Sequence, residues 1–330
     1  MSPAPHILVT GGAGYIGSHT VLALNAAGYR VVAYDNLSTG HPEAVPPPAK
    51  LIVGDLGDQE KLESLLAEEQ FSAIIHFAAS IVVPESVSRP LLYYHNNTIK
   101  TTGLIQAALK HAVPHFIFSS TAAVYGIPEH LPVSESAPLK PINPYGRSKL
   151  MSEWVLQDVS LAHPGFRQVI LRYFNVAGAD PLGRIGQSTP RATHLIKAAC
   201  RTVLGQQENL EIFGTDYPTP DGTGIRDYIH VSDLAAAHVL ALESLRAGAD
   251  SDIFNCGYGH GYSVQEIIAA IRKVSGRQLP TRNSPRRAGD PAQLVADPEK
   301  LRRTFHWQPQ FDDIEKIVES AYQWERRRPY

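Results

Sequence analysis

The chain has 330 residues, 43% of them apolar and 19% charged, and a formal net charge of −2. That length offers ample core for one large or two modest domains. The near-neutral charge argues against a nucleic-acid surface, and no apolar run reaches the roughly 20 residues that span a bilayer.

His6–Thr10 is a short β-branched run. Tyr15–Ala27 has a helical pattern with Gly28 as its stop. Strands are expected at Arg30–Tyr34 and Lys50–Val53, then an amphipathic helix over Gln59–Glu69. Ala73–Phe77 reads as a fourth strand, and Leu91–His111 as a long helix. His115–Ser119 is a fifth strand, Pro144–Leu161 a helix and Gln168–Arg172 a sixth strand. Strands alternate with helices, and each strand is almost wholly apolar. This predicts an α/β fold with a Rossmann-type, doubly wound parallel sheet covered on both faces. Ligands in such sheets sit beyond the carboxyl ends of the strands.

After Asn175 the elements shorten and proline-rich turns multiply. The expected division is a dinucleotide-binding domain over residues 1–174 and a smaller α/β substrate domain over 175–330. A segment near 225–246, with a helical pattern over Asp233–Ser244, is expected to return to the first domain.

Cys200 and Cys256 lie outside any CxxC pattern and read as reduced core thiols. The fourteen histidines show no HExxH and no close cluster, so no metal is expected. The start of the chain carries no basic-then-apolar leader, which points to the cytoplasm.

Gly11-Gly12-Ala13-Gly14-Tyr15-Ile16-Gly17 joins the first strand to the first helix. Glycines there allow a tight turn and close approach to a pyrophosphate, and the helix start supplies N–H groups and a positive dipole end. Asp35 ends the second strand, eighteen positions past Gly17. A carboxylate there can take both ribose hydroxyls and would repel a 2′-phosphate, so NAD is favoured over NADP. Asp55, after the third strand, is read either as an adenine contact or as a helix cap.

Tyr145 and Lys149 are four apart on one helix and share a face. A free phenol, with a pKa of about 10, is a poor base at neutral pH. A neighbouring ammonium is expected to lower that value. The phenolate can then take a hydroxyl proton while hydride leaves for NAD. Thr121, after the fifth strand, can bond the same hydroxyl.

Thr10–Gly17, Ser119–Gly126 (SSTAAVYG) and Tyr145–Lys149 resemble the extended short-chain dehydrogenase/reductase family, and specifically its members that epimerise nucleotide sugars at C4. His76–Val87, Tyr93–Asn97, Asn143–Met151, Leu171–Gly178, Ile212–Val231 and Pro285–Asp290 carry the likeness through nearly the whole chain. The resemblance implies an NAD-dependent isomerase that interconverts UDP-glucose and UDP-galactose. C4 is oxidised, the 4-keto sugar rotates, and C4 is reduced again. It implies Thr121, Tyr145 and Lys149 as the catalytic set. Cofactor contacts are expected from Gly11, Gly14, Tyr15, Ile16, Gly17, Asp35, Asn36, Asp55, Leu56, Phe77, Ala78, Ala79, Asn96, Tyr145, Lys149 and Phe174. The UDP-sugar would meet Thr121, Tyr145, Asn175, His194, Leu195, Phe213, Arg226, Arg287, Asp290 and Leu294. Guanidinium groups suit a diphosphate by charge and shape. The resemblance also implies a homodimer paired through the Leu91–His111 and Pro144–Leu161 helices.

Three positions depart from the family pattern. Ile81 stands where many members carry lysine, and His194 where asparagine is common. Leu294 replaces a large tyrosine in some members, which leaves room for an N-acetyl group. UDP-N-acetylglucosamine or a UDP-pentose is therefore the alternative substrate.

Overall fold

The structure, a computed structural model, describes residues 4–189, 193–287 and 289–330. Met1–Pro3, Pro190–Ala192, and Ala288 of the Pro285–Asp290 segment lie outside the described residues.

Seven strands form the central sheet: β1 (His6–Thr10), β2 (Arg30–Asp35), β3 (Lys50–Val53), β4 (Ala73–His76), β5 (His115–Thr121), β6 (Arg167–Tyr173) and β11 (Asp252–Cys256). Their order is β11-β6-β5-β4-β1-β2-β3. β1 pairs in parallel with both β2 and β4, so the strand order reverses at β1. That reversal opens a crevice at the carboxyl ends of the strands. Every residue of β1 and β4 is buried, as continuous apolar runs in a two-sided sheet require. One core layer joins Leu8, Val32, Ile74, Phe116 and Ile170 to the helical Leu62, Leu66, Leu104 and Leu156. The strand β11 was not anticipated, because Asp252–Cys256 carries Asp and Asn among its apolar residues.

The helix α1 (Tyr15–Ala26) ends just before Gly28, which adopts φ +82°. Asp58 rather than Asp55 caps α2 (Gln59–Glu68). The single helix expected over Leu91–His111 is three pieces: α4 (Pro90–Tyr93), a π-helical turn (Tyr94–Ile99) and α5 (Lys100–Lys110), preceded by α3 (Val83–Ser88). The wider turn aims Asn97 inward, where its side chain bonds Ser80 and the Ser148 hydroxyl. Periodicity cannot reveal such a bulge, because tertiary hydrogen bonds sustain it. Asn143 caps α6 (Pro144–Ala162), with Pro144 in the first turn.

Contacts divide the chain into two units. The first holds Met1–Val124, Pro141–Arg172 and Ala235–Phe254; the second holds Tyr125–Lys140, Tyr173–Leu234 and Asn255–Tyr330. The chain thus passes between units several times, and α8 (Val231–Arg246) runs from the second into the first.

Small sheets build the second unit. β7 (Asn175–Ala177) pairs with β10 (Tyr228–His230), and β8 (Leu210–Phe213) with β13 (Thr281–Ser284). β9 (Ile225–Arg226) lies between β12 (Tyr262–Ser263) and β14 (Gln293–Leu294). Three helices, α7 (Leu195–Val203), α9 (Val264–Ser275) and α11 (Ile314–Arg327), pack on one another, and α10 (Glu299–Phe305) precedes the last of them. Ser263 and Glu266 form a capping box at the start of α9, and Gly276 ends it in the left-handed region.

Candidate active site

Gly11 adopts φ +72°, and a Cβ there would come 2.6 Å from the Ala78 amide nitrogen. A Cβ on Gly17 would fall 2.1 Å from the Gly11 carbonyl oxygen. The turn after β1 therefore needs both glycines to bring α1 close. Gly14 caps α1 without a side-chain bond, and no acid occupies the first turn. The positive helix end is thus left for an anion. Gly17→Ala is expected to destabilise the protein by about 1–3 kcal/mol, because the opposing atom is backbone and cannot swing away. It should also lower the NAD content of the purified protein. Chemical denaturation and the nucleotide released on unfolding check both effects.

Asp35 accepts the Ala13 N–H at 3.0 Å and the Leu37 N–H at 2.8 Å. Burial raises its pKa, while backbone N–H groups of Leu37, Ala13 and Gly14 pull it back. Those bonds leave part of the carboxylate's acceptor capacity for ribose hydroxyls. Asp55 takes the Lys100 ammonium at 2.6 Å, the Asn36 amide at 2.7 Å and the Gly57 N–H at 2.7 Å. Burial pushes its carboxyl up, but the Lys100, Asn36 and Gly57 hydrogen bonds outweigh that and hold it at about 2. Asn36 and Asp55 are therefore locked together beside the buried Leu56. Across β1, the Phe77 ring packs on His238 at 4.8 Å. Ala78 and Ala79 follow Phe77 half-buried, and the Asn96 amide donates to the Ser80 hydroxyl. The small residues, the uncapped helix start and Asp35 together fit a dinucleotide. Ile81, 46% exposed, offers no donor there.

One side chain that the pattern left unread is His76, at the end of β4. The Thr10 hydroxyl meets its Nδ1 at 2.6 Å, and its Nε2 meets Thr101 at 2.8 Å. Thr101 donates onward to the Asn97 carbonyl. The ring must therefore carry its proton on Nε2. Burial, aided by the Lys149 charge, holds its pKa well below the usual value.

β5 ends at Ser119-Ser120-Thr121, beside the first turns of α6. Tyr145 is buried there, and the Thr121 side chain hydrogen-bonds to it. The Ala123 N–H holds the Thr121 hydroxyl at 3.1 Å. Tyr93 stands edge-on to the Tyr145 ring, with centres 6.4 Å apart. The buried Lys149 amine donates to the Ser119 carbonyl at 2.8 Å and lies 4.8 Å from the Phe118 ring centre. The structure brings Thr121, Tyr145 and Lys149 together.

The electrostatics differ from expectation in sign. Burial raises the Tyr145 pKa, and only the Thr121 hydrogen bond opposes the rise. Burial also pushes Lys149 down to about 7, against the Glu153 carboxylate. Desolvation thus sets the direction at both groups, and the lowering of the phenol expected from a neighbouring ammonium does not offset it. Glu153 and its partner Arg172 were also unread. An arginine inside an apolar strand and a glutamate one turn past Lys149 were the available signals.

In the second unit Arg226 pairs with Asp290 at 2.5 Å, and Leu294 lies opposite Arg226 in the β9–β14 register. The Arg287 guanidinium lies 3.8 Å from the Phe213 ring centre. Asn175 opens β7, and Leu195 opens α7. Both line one cleft with His194, whose Nδ1 is 2.8 Å from the Gln187 amide. Phe174 is buried and groups with this unit. Asp227 explains why arginine is followed by aspartate here. Its carboxylate accepts N–H groups from Tyr258, Gly259 and Ala296 and so fastens β9 to two loops. Burial raises Asp227 to about 6, although those three bonds resist the rise.

Both cysteines are free and buried. Among the described residues no group of three or more His, Cys, Asp or Glu side chains is placed to hold a metal ion. Among the described residues no helix is long and apolar enough to cross a membrane.

A curated UDP-glucose 4-epimerase from Azospirillum brasilense is 56% identical over 98% of this chain and 92% of its own. The solved UDP-glucose 4-epimerase from Brucella ovis, in complex with NAD, superposes with a TM-score of 0.94 at 45% identity, covering 97% of this chain and 98% of its own. The Bifidobacterium longum enzyme, solved with NAD+ and UDP, gives 0.92 at 39% identity, covering 98% and 99%. Residues 7–257 match the NAD dependent epimerase/dehydratase family. With that match, and with a parallel sheet that carries both a glycine turn and a buried Thr–Tyr–Lys set, the chain belongs to the NAD dependent epimerase/dehydratase family.

Proposed function

We propose that this protein interconverts UDP-glucose and UDP-galactose with retained NAD. The observation that carries the reading is the buried Tyr145 hydroxyl, bonded to Thr121, with Lys149 one turn along the same helix. Tyr145 takes the proton of the sugar 4-hydroxyl and later returns it. Thr121 orients that hydroxyl, and the Lys149 ammonium stabilises the phenolate. When bound, NAD supplies a reversible hydride acceptor, so that C4 is oxidised from one face and reduced from the other. Its ribose and pyrophosphate would be held by the Gly11–Gly17 turn, by Asp35, Asn36 and Asp55, and by the Phe77–Ala79 and Asn96 edges, and Phe174 would be a further cofactor contact. Arg226 and Arg287 clasp the diphosphate, and Asn175, His194, Leu195, Phe213, Asp290 and Leu294 shape the uridine and sugar sites. The fork of Arg226 is already held by Asp290, which reduces the entropy lost on binding.

The test is incubation of the purified protein with UDP-galactose, and separately with UDP-N-acetylgalactosamine, without added NAD. UDP-glucose should form from the first. No conversion of UDP-galactose, or equal conversion of the acetylated sugar, would overturn the hexose assignment.

A homodimer and a cytoplasmic setting complete the proposal. The mutually packed α4, π turn and α6 leave Leu91 81% and Trp154 52% exposed, with Ile99 and Met151 also open to solvent. So much apolar surface in one place suits a partner face. Trp154→Glu is expected to shift the protein from dimer toward monomer in light scattering. Two free thiols suit a reducing compartment.

A further inference from the structure

Behind the Tyr145–Lys149 pair lies a charged group for which the reaction above has no use. Glu153 is 0% exposed and Arg172 2%. Glu153 stands one turn past Lys149 on α6. Its carboxylate receives the Arg172 Nε at 3.1 and 3.2 Å and a terminal guanidinium nitrogen at 2.6 Å. It also accepts the Ser120 hydroxyl. Ser120 lies between Ser119, whose carbonyl holds Lys149, and Thr121, whose side chain meets Tyr145. One carboxylate on α6, itself held by a guanidinium on β6, therefore grips the strand end that bears both contacts. An ion pair buried this deeply adds little stability over apolar filling, because desolvation consumes the Coulomb gain. Stability alone is a poor reason for it.

We propose that Glu153 is a positioning residue for the epimerisation: with Arg172 it holds Ser119–Thr121 against α6, and it keeps a negative charge behind the Lys149 amine. The proposal rests on the roles given to Tyr145 and Lys149 above.

The charge has a readable direction. Glu153 opposes the burial that depresses Lys149. The other titratable groups facing this site are His76 of β4, held neutral, and Tyr93 of α4, whose hydroxyl is bound to Glu85 of α3. Arg172 faces it from β6. From the π turn come Asn97 and Thr98, which do not titrate. The active form holds one proton on the pair, as phenolate and ammonium. Activity rises with pH as the other proton leaves. Removing the negative charge behind Lys149 lets that proton leave at lower pH. It also shrinks the share of the phenolate–ammonium form.

The experiment compares kcat against pH for the NAD-loaded wild type and for Glu153→Gln. The acid limb should move down by about one pH unit and the plateau fall about tenfold, with KM for UDP-galactose little changed. The double variant Glu153→Gln/Arg172→Met removes the guanidinium as well and keeps the fold testable. It should shift the limb in the same direction by less. Glu153→Asp, which keeps the charge, should leave the limb in place. A folded double variant whose limb coincides with the wild type overturns the proposal, whether or not its rate is lower. Tyr145→Phe, run alongside, separates the two failures. If it stays active, the underlying reading fails as well. If it is inactive while the limb stays fixed, the fault lies with Glu153 alone.

Discussion

Tyr145→Phe should reduce conversion of UDP-galactose by roughly 10²–10⁴-fold while the purified protein still carries NAD. In the proposed reaction the hydroxyl is the group that handles the proton. The ring is the group that packs, edge-on to Tyr93. Removing only the oxygen therefore leaves the helix start, the Asn143 cap and the glycine turn intact. Because the same hydroxyl takes the proton and gives it back, forward and reverse rates should fall together. Thr121→Val removes the hydrogen bond that opposes the rise of the phenol pKa and should cost about tenfold. Turnover with product identification, alongside nucleotide released on denaturation, measures both. A Tyr145→Phe protein within tenfold of wild type would remove the phenol from the reaction.

Lys149→Met should abolish most activity and yet stabilise the folded chain. In the fold the amine gives up its proton near pH 7, against an ordinary value of 10.5. Below pH 7 both folded and unfolded chains hold that proton, and the full burial penalty is present. Between 7 and 10.5 the unfolded chain binds more protons, so stability from this group rises with pH by up to about 1.4 kcal/mol per unit. Methionine has nothing to desolvate. The nucleotide-free variant should therefore exceed the nucleotide-free wild type by a few kcal/mol at pH 6, and by much less at pH 9. Urea denaturation at the two pH values checks it. An equal stability difference at both would show that Lys149 is not desolvated as the structure has it. This is a site held at the expense of stability, as functional groups in apolar surroundings often are.

The fold was largely legible, and the reason lies in particular stretches. HILVT and AIIH read as strands because a sheet covered on both faces leaves no polar side to alternate. The glycine turn read as a close approach because a Cβ at Gly11 or Gly17 has nowhere to go. Other features were not legible. The π turn at Tyr94–Ile99 keeps a helical rhythm in sequence, and only bonds from Asn97 to Ser80 and Ser148 mark the bulge. Asp55 stood between a cap and a ligand contact. In the fold Lys100, from a helix forty-five residues on, meets it, and Asp58 caps the helix instead.

The sequence by itself determined what near neighbours control: the alternation of strand and helix, the turn that only glycine can make, and the spacing that sets Tyr145 and Lys149 on one face. Steric limits and helical period act within a few residues, so they can be read along the chain. Tertiary structure alone decided the charges. Whether Tyr145 rises or falls, whether Lys149 keeps its proton, and which carboxylate stands behind it depend on water excluded by β4, β5 and β6. Desolvation is a property of everything packed around a group, and no local pattern records it.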